Sequence, residues 1–531
     1  MNARAFLASV LVLGAVTMAG CGGGGGSSGS QQPNAPAVSL STSSVNFGAQ
    51  VVSTMASKLV TVQNSGTAAL TVAAGAITIT GTGAADFSQT NDCSASIAAG
   101  GSCTITVTFT AASIGAKSAT LNIATNAAGS PSAVALQGSG SEANALAVNI
   151  NMGPLPTTFP TANVLYADVT FCTPNSTTAC RTVDHIQIDT GSYGLRVFKS
   201  ALDAASGPAV VPTAAVDSTS GGSLFECVQY ADGYTWGSVV AVDVRIGTRV
   251  LHGLRIQLTG ANAPSGTVPA DCSAGMKNEN QVSAFGANGI LGIGGFLQDC
   301  GAGCTDPINP YPGTYYGCPS SGSCINVAVD LAGQVQNPIS LLASDNNGVL
   351  LDIPAVAPPG TATLSGYIYF GLNTQANNTL GSGTHWFGLS PADGTLVTDF
   401  NGTTMTRSII DSGSNAFFFN SAINVCTSNL ASGFYCPATT QNLNATITAA
   451  NASTSAFPVS FQIDNADTLF TNGPNNAVFP SLGGSNSGLP TLFGAFDWGL
   501  PFFYGRRVWV LFENSPGPSG SGVQFGPALA F

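Results

Sequence analysis

The chain has 531 residues, long enough for two to four domains with cores of their own. Only 7% of it is charged, and the balance is acidic, with a formal net charge of −12 and a pI near 4.4. That excludes nucleic acid as a partner, because there is no basic stripe to neutralise phosphates, and it points to an exported surface kept soluble by hydroxyls and amides.

The first element in chain order is an apolar run from Phe6 to about Met18, behind one arginine, in MNARAFLASVLVLGAVTMAGC. It is too short for a comfortable membrane span and suits the core of a signal peptide over residues 1–20. The Met-Ala-Gly-Cys at its end resembles a bacterial lipobox, which implies lipidation of Cys21 and a membrane anchor through the N-terminal lipid. Residues 21–36, with GGGGGSSGS directly after Cys21, read as a flexible tether. Arg4 leaves with the signal, so the mature charge is 12 − 25 = −13. The expected location is the bacterial cell envelope, at the outer membrane or the periplasmic face.

From residue 37 to about 140 short β-type runs alternate with turn signals: VSLSTSSVNFG, KLVTVQNSG, LTVAAGAITITG, CTITVTFTA, SATLNIATN. Period-two alternation with regular breaks predicts an antiparallel Ig-like β-sandwich. VNFG, VTVQNSGTAALTV, DFSQTNDC and GGSCTITVTFTAASIGAKSATLNIAT resemble the hydin (ASH) and choice-of-anchor modules of bacterial exported proteins. Such a module implies a spacer or docking role.

Cysteine usage fits export. Of 13 cysteines, 12 remain once Cys21 is set aside, an even number for a compartment where disulfides persist. Spacing predicts the pairs Cys93–Cys103, Cys172–Cys180 and Cys426–Cys436, with Cys227 and Cys272 as a further candidate pair. Cys300, Cys304, Cys318 and Cys324 crowd one loop-rich segment. Their gaps are uneven and no histidine is near, so disulfides are expected there rather than zinc.

Residues 144–531 remain β-rich, with Gly/Asn/Pro loops and at most a short helix at NPISLLAS, and their length suits two similar β-lobes, about 144–340 and 341–531. In HIQIDTGS and RSIIDSGS an apolar run delivers an aspartate into a small-hydroxyl-Gly turn. One Asp-Thr-Gly-Ser is ordinarily just a turn; two at strand ends ask for a joint role. Two such loops related by a pseudo-twofold axis would bring Asp189 and Asp411 face to face. Carboxylates about 3 Å apart cannot both ionise easily, so they share a proton. One then serves as base toward a water while the other polarises a carbonyl.

These motifs resemble the pepsin-like aspartic proteases, and the resemblance runs through the C-terminal region. It implies a mainly β, bilobal fold and catalysis by Asp189 and Asp411. Thr190 and Ser412 would brace the loops, Ser192 and Ser414 would hydrogen-bond the carboxylates, and Gly191 and Gly413 would permit the turns. ANGILGIGG supplies the apolar-apolar-Gly element Ile290, Leu291, Gly292 after the first aspartate, and PTLFGAFDWGLPFF supplies Leu492, Phe493, Gly494 after the second. CVQYADGYTWGSVVAVDVRIG resembles the flap hairpin, with Tyr230 as flap tyrosine and Asp232 and Gly233 at the tip. CRTVDHIQIDTGSYGLRVF and GLPFFYGRRV further resemble an uncharacterised family of bacterial exported lipoproteins.

The expected function is an exported, lipid-anchored aspartic endopeptidase, monomeric, acting on peptide or protein substrates at acidic pH, with no metal or organic cofactor implied. One departure stands out: seven residues after Asp189, where the resemblance implies a tryptophan bonded to the flap tyrosine, the chain has Arg196, with Trp236 or Tyr193 as candidate substitutes. The rival reading is an inactive pepsin-like lipoprotein that grips peptide or cell-surface material.

Overall fold

The computed structural model describes residues 34–263, 266–381, 383–450, 456–487 and 494–531. The signal peptide, Cys21, most of the tether, Leu492 and Phe493 lie outside the described residues. The chain is mainly β. Among the described residues the helices reach seven residues at most, in Ala466–Asn472, and NPISLLAS contributes one 3-10 turn, Pro338–Leu341, capped by the Asn337 side chain. No helix among them is long and apolar enough to cross a membrane.

Two compact units divide the chain, the first drawing on the residues up to 45, 57–108 and 119–136, the second on 46–56, 109–118 and 137–531. The N-terminal strands form two four-stranded sheets. Alternation is clean: in Ser102–Thr110, Cys103, Ile105 and Val107 are buried while the residues between them are half-exposed. Cys93–Cys103 ties this strand to the preceding loop.

The second unit rests on a platform of six strands, Trp386–Gly388, Ala528–Ala530, Arg506–Leu511, Gly348–Ile353, Leu364–Phe370 and Ala145–Ile150, each hydrogen-bonded to the next. Two lobes of sheet rise from it. In the first, Gly289–Ile293 is inserted between Cys180–Asp189, to which it runs parallel, and Tyr193–Phe198, to which it runs antiparallel. That register sets Asp189 opposite Gly292. A parallel strand covered on both faces is buried on both: Ile186 and Ile188 face one side and Gln187 the other, its amide satisfied by the Gly413 carbonyl.

The second lobe repeats the arrangement with a shorter insert. Asp497–Trp498 runs parallel to Thr403–Ile410 and antiparallel to Phe417–Phe418, with Trp498 opposite both Ile410 and Phe417. Continuing that register puts Gly499 beside Asp411. The expectation for Gly494 is therefore corrected: Gly494 occupies an exposed turn at φ +76° with open space around it, and the inserted element is Asp497-Trp498-Gly499. Close approach explains the choice of glycine. A Cβ on Gly499 would lie 2.2 Å from the Ala416 carbonyl oxygen, and one on Gly292 would lie 2.5 Å from the Tyr193 nitrogen.

Six disulfides join the 12 cysteines of the described residues: the four pairs expected, plus Cys300–Cys304 and Cys318–Cys324. The four cysteines of the loop-rich segment are thus bonded sulfur to sulfur.

Candidate active site

Asp189 and Asp411 sit where two buried strands run into tight turns, and both are nearly inaccessible, at 5% and 9% exposure. Each turn folds back on its own carboxylate. Gly191 N–H donates to Asp189 Oδ1 and Gly413 N–H to Asp411 Oδ1, both at 2.7 Å. The hydroxyl residues lock the turns to one another. Thr190 N–H donates to Ser412 Oγ at 3.1 Å and Ser412 N–H to Thr190 Oγ1 at 2.9 Å. Each hydroxyl then donates into the opposite strand, Thr190 to the Ile410 carbonyl and Ser412 to the Ile188 carbonyl. Four buried hydrogen bonds therefore cross the pseudo-twofold, and each satisfies a group that burial would otherwise penalise.

The glycines set the approach of the acids. A Cβ on Gly191 would fall 2.8 Å from Asp411 Cγ, and one on Gly413 would fall 2.5 Å from Asp189 Oδ1. Only hydrogen fits, and the two carboxyls meet across that gap, joined by a hydrogen bond. Burial first, and the Asp411 charge second, hold the Asp189 carboxyl well above the usual carboxylate range. Ser414 Oγ donates to Asp411 Oδ2 at 2.8 Å. Its counterpart Ser192, half-buried, acts on Asp189 in the same sense, pulling its carboxyl down against the effect of burial.

The hairpin of Ser223–Gln229 and Gly233–Ile246 turns through Tyr230 to Asp232, with Tyr230 N–H donating to the Gly233 carbonyl at 2.8 Å. Asp232 is exposed at the tip. Tyr230 is half-buried, its ring edge-on to Phe285 at 5.6 Å. Burial raises its phenol; Arg196 opposes that rise, while Glu226 and Asp189 add to it. Gly233 is buried, and its backbone faces the Glu279 carboxylate so closely that a Cβ would lie 2.5 Å away. Cys227–Cys272 pins the hairpin's first strand to the short helix Ala270–Ser273.

Arg196 does not replace the missing tryptophan by bonding the flap tyrosine. At 2% exposure it donates to Glu226 Oε1 at 2.5 Å, Asp299 Oδ2 at 3.1 Å and the Tyr193 carbonyl at 2.6 Å. Burial alone would depress the guanidinium; Glu226, Tyr230 and Asp299 outweigh it and keep the group charged. Asp299 is held well above the usual carboxylate range by burial and by Glu226, against Arg196. One cation thus serves two carboxyls, and the Tyr315 hydroxyl donates to Asp299 as well, at 2.8 Å. Trp236 packs instead against Phe225 and Tyr316, and Tyr193 against Phe296.

Three residues at or between the loops escaped the sequence reading. Gln187 donates to the Gly413 carbonyl at 2.8 Å across the lobes. Asn163, buried at φ +52°, donates to the carbonyls of Asn415 and Phe479 and accepts from the Tyr504 hydroxyl. Asp497 is fully buried in the strand under the second loop. Gln187 and Asp497 do leave a signal, a polar residue breaking an apolar run; Asn163 leaves none.

The chain is mainly β, with an Ig-like ASH domain at its N-terminus. Residues 140–531 match the family model described as "Protein of unknown function (DUF3443)", and the chain belongs to that family. Residues 36–133 match the model described as "Abnormal spindle-like microcephaly-assoc'd, ASPM-SPD-2-Hydin". Among solved structures, the aspartic proteinase from Irpex lacteus is 15% identical, with 73% of this chain and 96% of that chain covered and a TM-score of 0.37. A protein of unknown function from Porphyromonas gingivalis W83 is 13% identical over 20% of this chain and 47% of that chain, with a TM-score of 0.17. No curated protein matches the chain.

Proposed function

We propose that the chain is an exported, lipid-anchored aspartic endopeptidase that hydrolyses peptide bonds through Asp189, Asp411 and a water held between them. The observation that carries this reading is the reciprocal approach of the two loops, in which each glycine leaves room only for the opposite carboxyl. Gly413 N–H and Ser414 O–H both donate to Asp411 and orient its carboxyl, and we assign it the role of base. Asp189, whose proton affinity is raised, suits the role of proton holder.

In this mechanism the charged carboxylate takes a proton from water as the water oxygen bonds to the scissile carbonyl carbon. The proton on its partner moves to the carbonyl oxygen, giving a neutral diol. Transfer of a proton to the amide nitrogen then breaks the C–N bond and regenerates one charged and one neutral acid. No covalent intermediate is needed. Tyr230 covers an extended peptide from the hairpin side. An envelope location is supported by six disulfides, which are compatible with an extracytoplasmic protein. The N-terminal ASH domain acts as a spacer from the membrane, and the protein works as a monomer.

The test is cleavage of a denatured protein mixture by residues 22–531 between pH 3 and 8, beside Asp189→Asn and Asp411→Asn. Acid-range cutting reduced at least about 1,000-fold by either substitution is the expected result. Folded, disulfide-intact protein that binds peptides but cuts none at any pH would replace this reading by the binding-protein one.

A further inference from the structure

We infer that the cavity of about 620 Å³ between residues 383–385 and the start of the strand Arg506–Leu511 is a binding site for a small aromatic carboxylate, whose charge Arg506 receives. It is a second site, with residues of its own: nothing from the loops around Asp189 and Asp411 lines it. Its side chains are Arg506, Arg507, Trp509, Phe457, Phe531 and His385.

Strand order sets the width of the slot. Ala528–Ala530 has Trp386–Gly388 on one side and Arg506–Leu511 on the other, with Ala530 opposite both Trp386 and Trp509. One step further, His385 and Phe531 exchange backbone hydrogen bonds at 3.1 and 3.2 Å. The two outer strands therefore stand about 10 Å apart, twice the spacing of paired strands, and the slot between them suits a flat body. Rings form its sides. Phe457 lies edge-on to Phe531 with centroids 5.4 Å apart, and its ring is 4.4 Å from that of His385. Walls of this kind favour an aromatic body, through edge and face contacts as well as burial.

The polar side-chain groups that set the charge of the slot are donors. Arg506 is half-buried, with its guanidinium 4.6 Å over the Phe502 ring and one N–H on the Phe502 carbonyl at 2.6 Å. Among the described residues no carboxylate pairs with it, whereas its neighbour Arg507 has Asp352 at 3.3 Å and donates to the Asn377 carbonyl. Burial lowers the Arg506 guanidinium from its ordinary value, with no neighbouring charge to offset the effect. Trp509 is 4% exposed, and among the described residues its buried Nε1–H closes no hydrogen bond. Acids outnumber lysines and arginines 25 to 13 in this chain, so a half-buried cation left without a carboxylate is a specific arrangement. A cation without a counter-ion and a buried N–H without an acceptor both call for an anionic oxygen. The planar guanidinium edge matches the two oxygens of a carboxylate, which a flat ring can carry into the slot.

The test titrates 3-phenylpropionate into the folded, disulfide-intact protein at pH 7, read by calorimetry and by the tryptophan indole N–H resonances, with the Trp509 signal assigned through Trp509→Phe. A Kd of about 1 mM or tighter is expected, the scale of a ligand this small. The Trp509 N–H is expected to shift downfield as it gains an acceptor, and 3-phenylpropanol, the neutral counterpart, to show no saturable binding. Arg506→Met is expected to weaken binding at least about tenfold, the scale of a hydrogen bond to a charged group. Arg506→Lys, which keeps the charge without the planar fork, is expected to recover part of that loss. If R506M does not fold, the Trp509 shift and the comparison with the alcohol decide on the wild-type protein. No saturable binding of 3-phenylpropionate, equal affinity for the alcohol, or an R506M affinity equal to wild type overturns the proposal. Inorganic phosphate bound as tightly as 3-phenylpropionate also overturns it, since the aromatic walls would then contribute nothing. Cleavage enters none of these readings, so the outcome is independent of whether the protein cuts peptides.

Discussion

Seven residues after Asp189 a guanidinium occupies the core, where burial alone would forbid an unpaired charge. Arg196 is tolerated because Glu226, Asp299 and the Tyr193 carbonyl enclose it and pair its charge. Breaking such a group strands the remaining charges. Arg196→Met is expected to destabilise the protein by about 3–5 kcal/mol, measured by urea unfolding. Combining it with Glu226→Leu is expected to restore part of that loss, since the stranded carboxylate goes too. A double variant no more stable than R196M would show that the packing of the side chain, and not the charge balance, is what the site needs. The same cluster supports the hairpin, since Glu226 lies in its first strand.

At the level of elements, the hairpin of residues 223–246 is held more firmly than its exposed tip suggests. Its first strand is joined to Ala270–Ser273 by Cys227–Cys272, across a separation of 45 residues. Gln229 donates to the carbonyls of Asp271 and Cys272, and the Trp236 N–H donates to Asn280. Tyr234 pairs with Asn278 in a short parallel ladder. Closing a loop of that length removes enough unfolded-state entropy for the double variant Cys227→Ser, Cys272→Ser to lose about 2–4 kcal/mol, read from denaturant midpoints with the other disulfides intact. A loss under about 1 kcal/mol would mean that hydrogen bonds alone anchor the hairpin. The insert Asp497–Trp498 makes a related point about elements: two residues suffice as a strand because Trp498 packs on Phe496, Phe417, Phe461 and Phe502.

Summed over the whole molecule, buried acids govern how stability follows pH. Asp189, Asp299 and Asp497 all have proton affinities raised in the folded state, each by burial first. The sign follows from linkage: the folded state binds more protons, so this stabilisation is complete below the unfolded carboxylate range. It is lost as pH rises through the folded values. Asp184 and Asp393 act in the opposite sense, since they are lowered by His185 and, against the effect of burial, by Ser390 and Thr395. Their side chains are 64% and 39% exposed, so solvent screens them; buried Asp243, lowered against burial by His252 and by the Gly253 and Asn175 N–H groups, opposes the three raised acids but is outnumbered by them. Melting temperature is therefore expected to fall between pH 4.5 and pH 8. A Tm that rises across that window would mean the three acids ionise in the fold.

How far the sequence reached depended on range. Asp189, Asp411 and their Ser/Thr-Gly-Ser turns were legible because aspartate, small hydroxyl and glycine at fixed spacing are a local demand of a tight turn around a carboxylate. The sandwich alternation and the short-range cysteine pairs were legible for the same reason: neighbours in sequence are neighbours in space. The second apolar-apolar-Gly element was misread at Leu492-Phe493-Gly494 because two apolar residues and a glycine recur five residues later in altered form, as Asp497-Trp498-Gly499. Only strand register decides between them. Arg196 could be seen to depart from a pattern, but its carboxylate partners lie 30 and 103 residues away. The burial of Asp497 likewise depends on a lobe closing over it. Composition and spacing by themselves determined a β-rich, disulfide-bonded chain with two acids at strand ends. The tertiary structure decided which glycine lies under the second loop, what encloses the buried cation, and that a third carboxyl adjoins the pair, because each of those is a contact between segments that only the fold brings together.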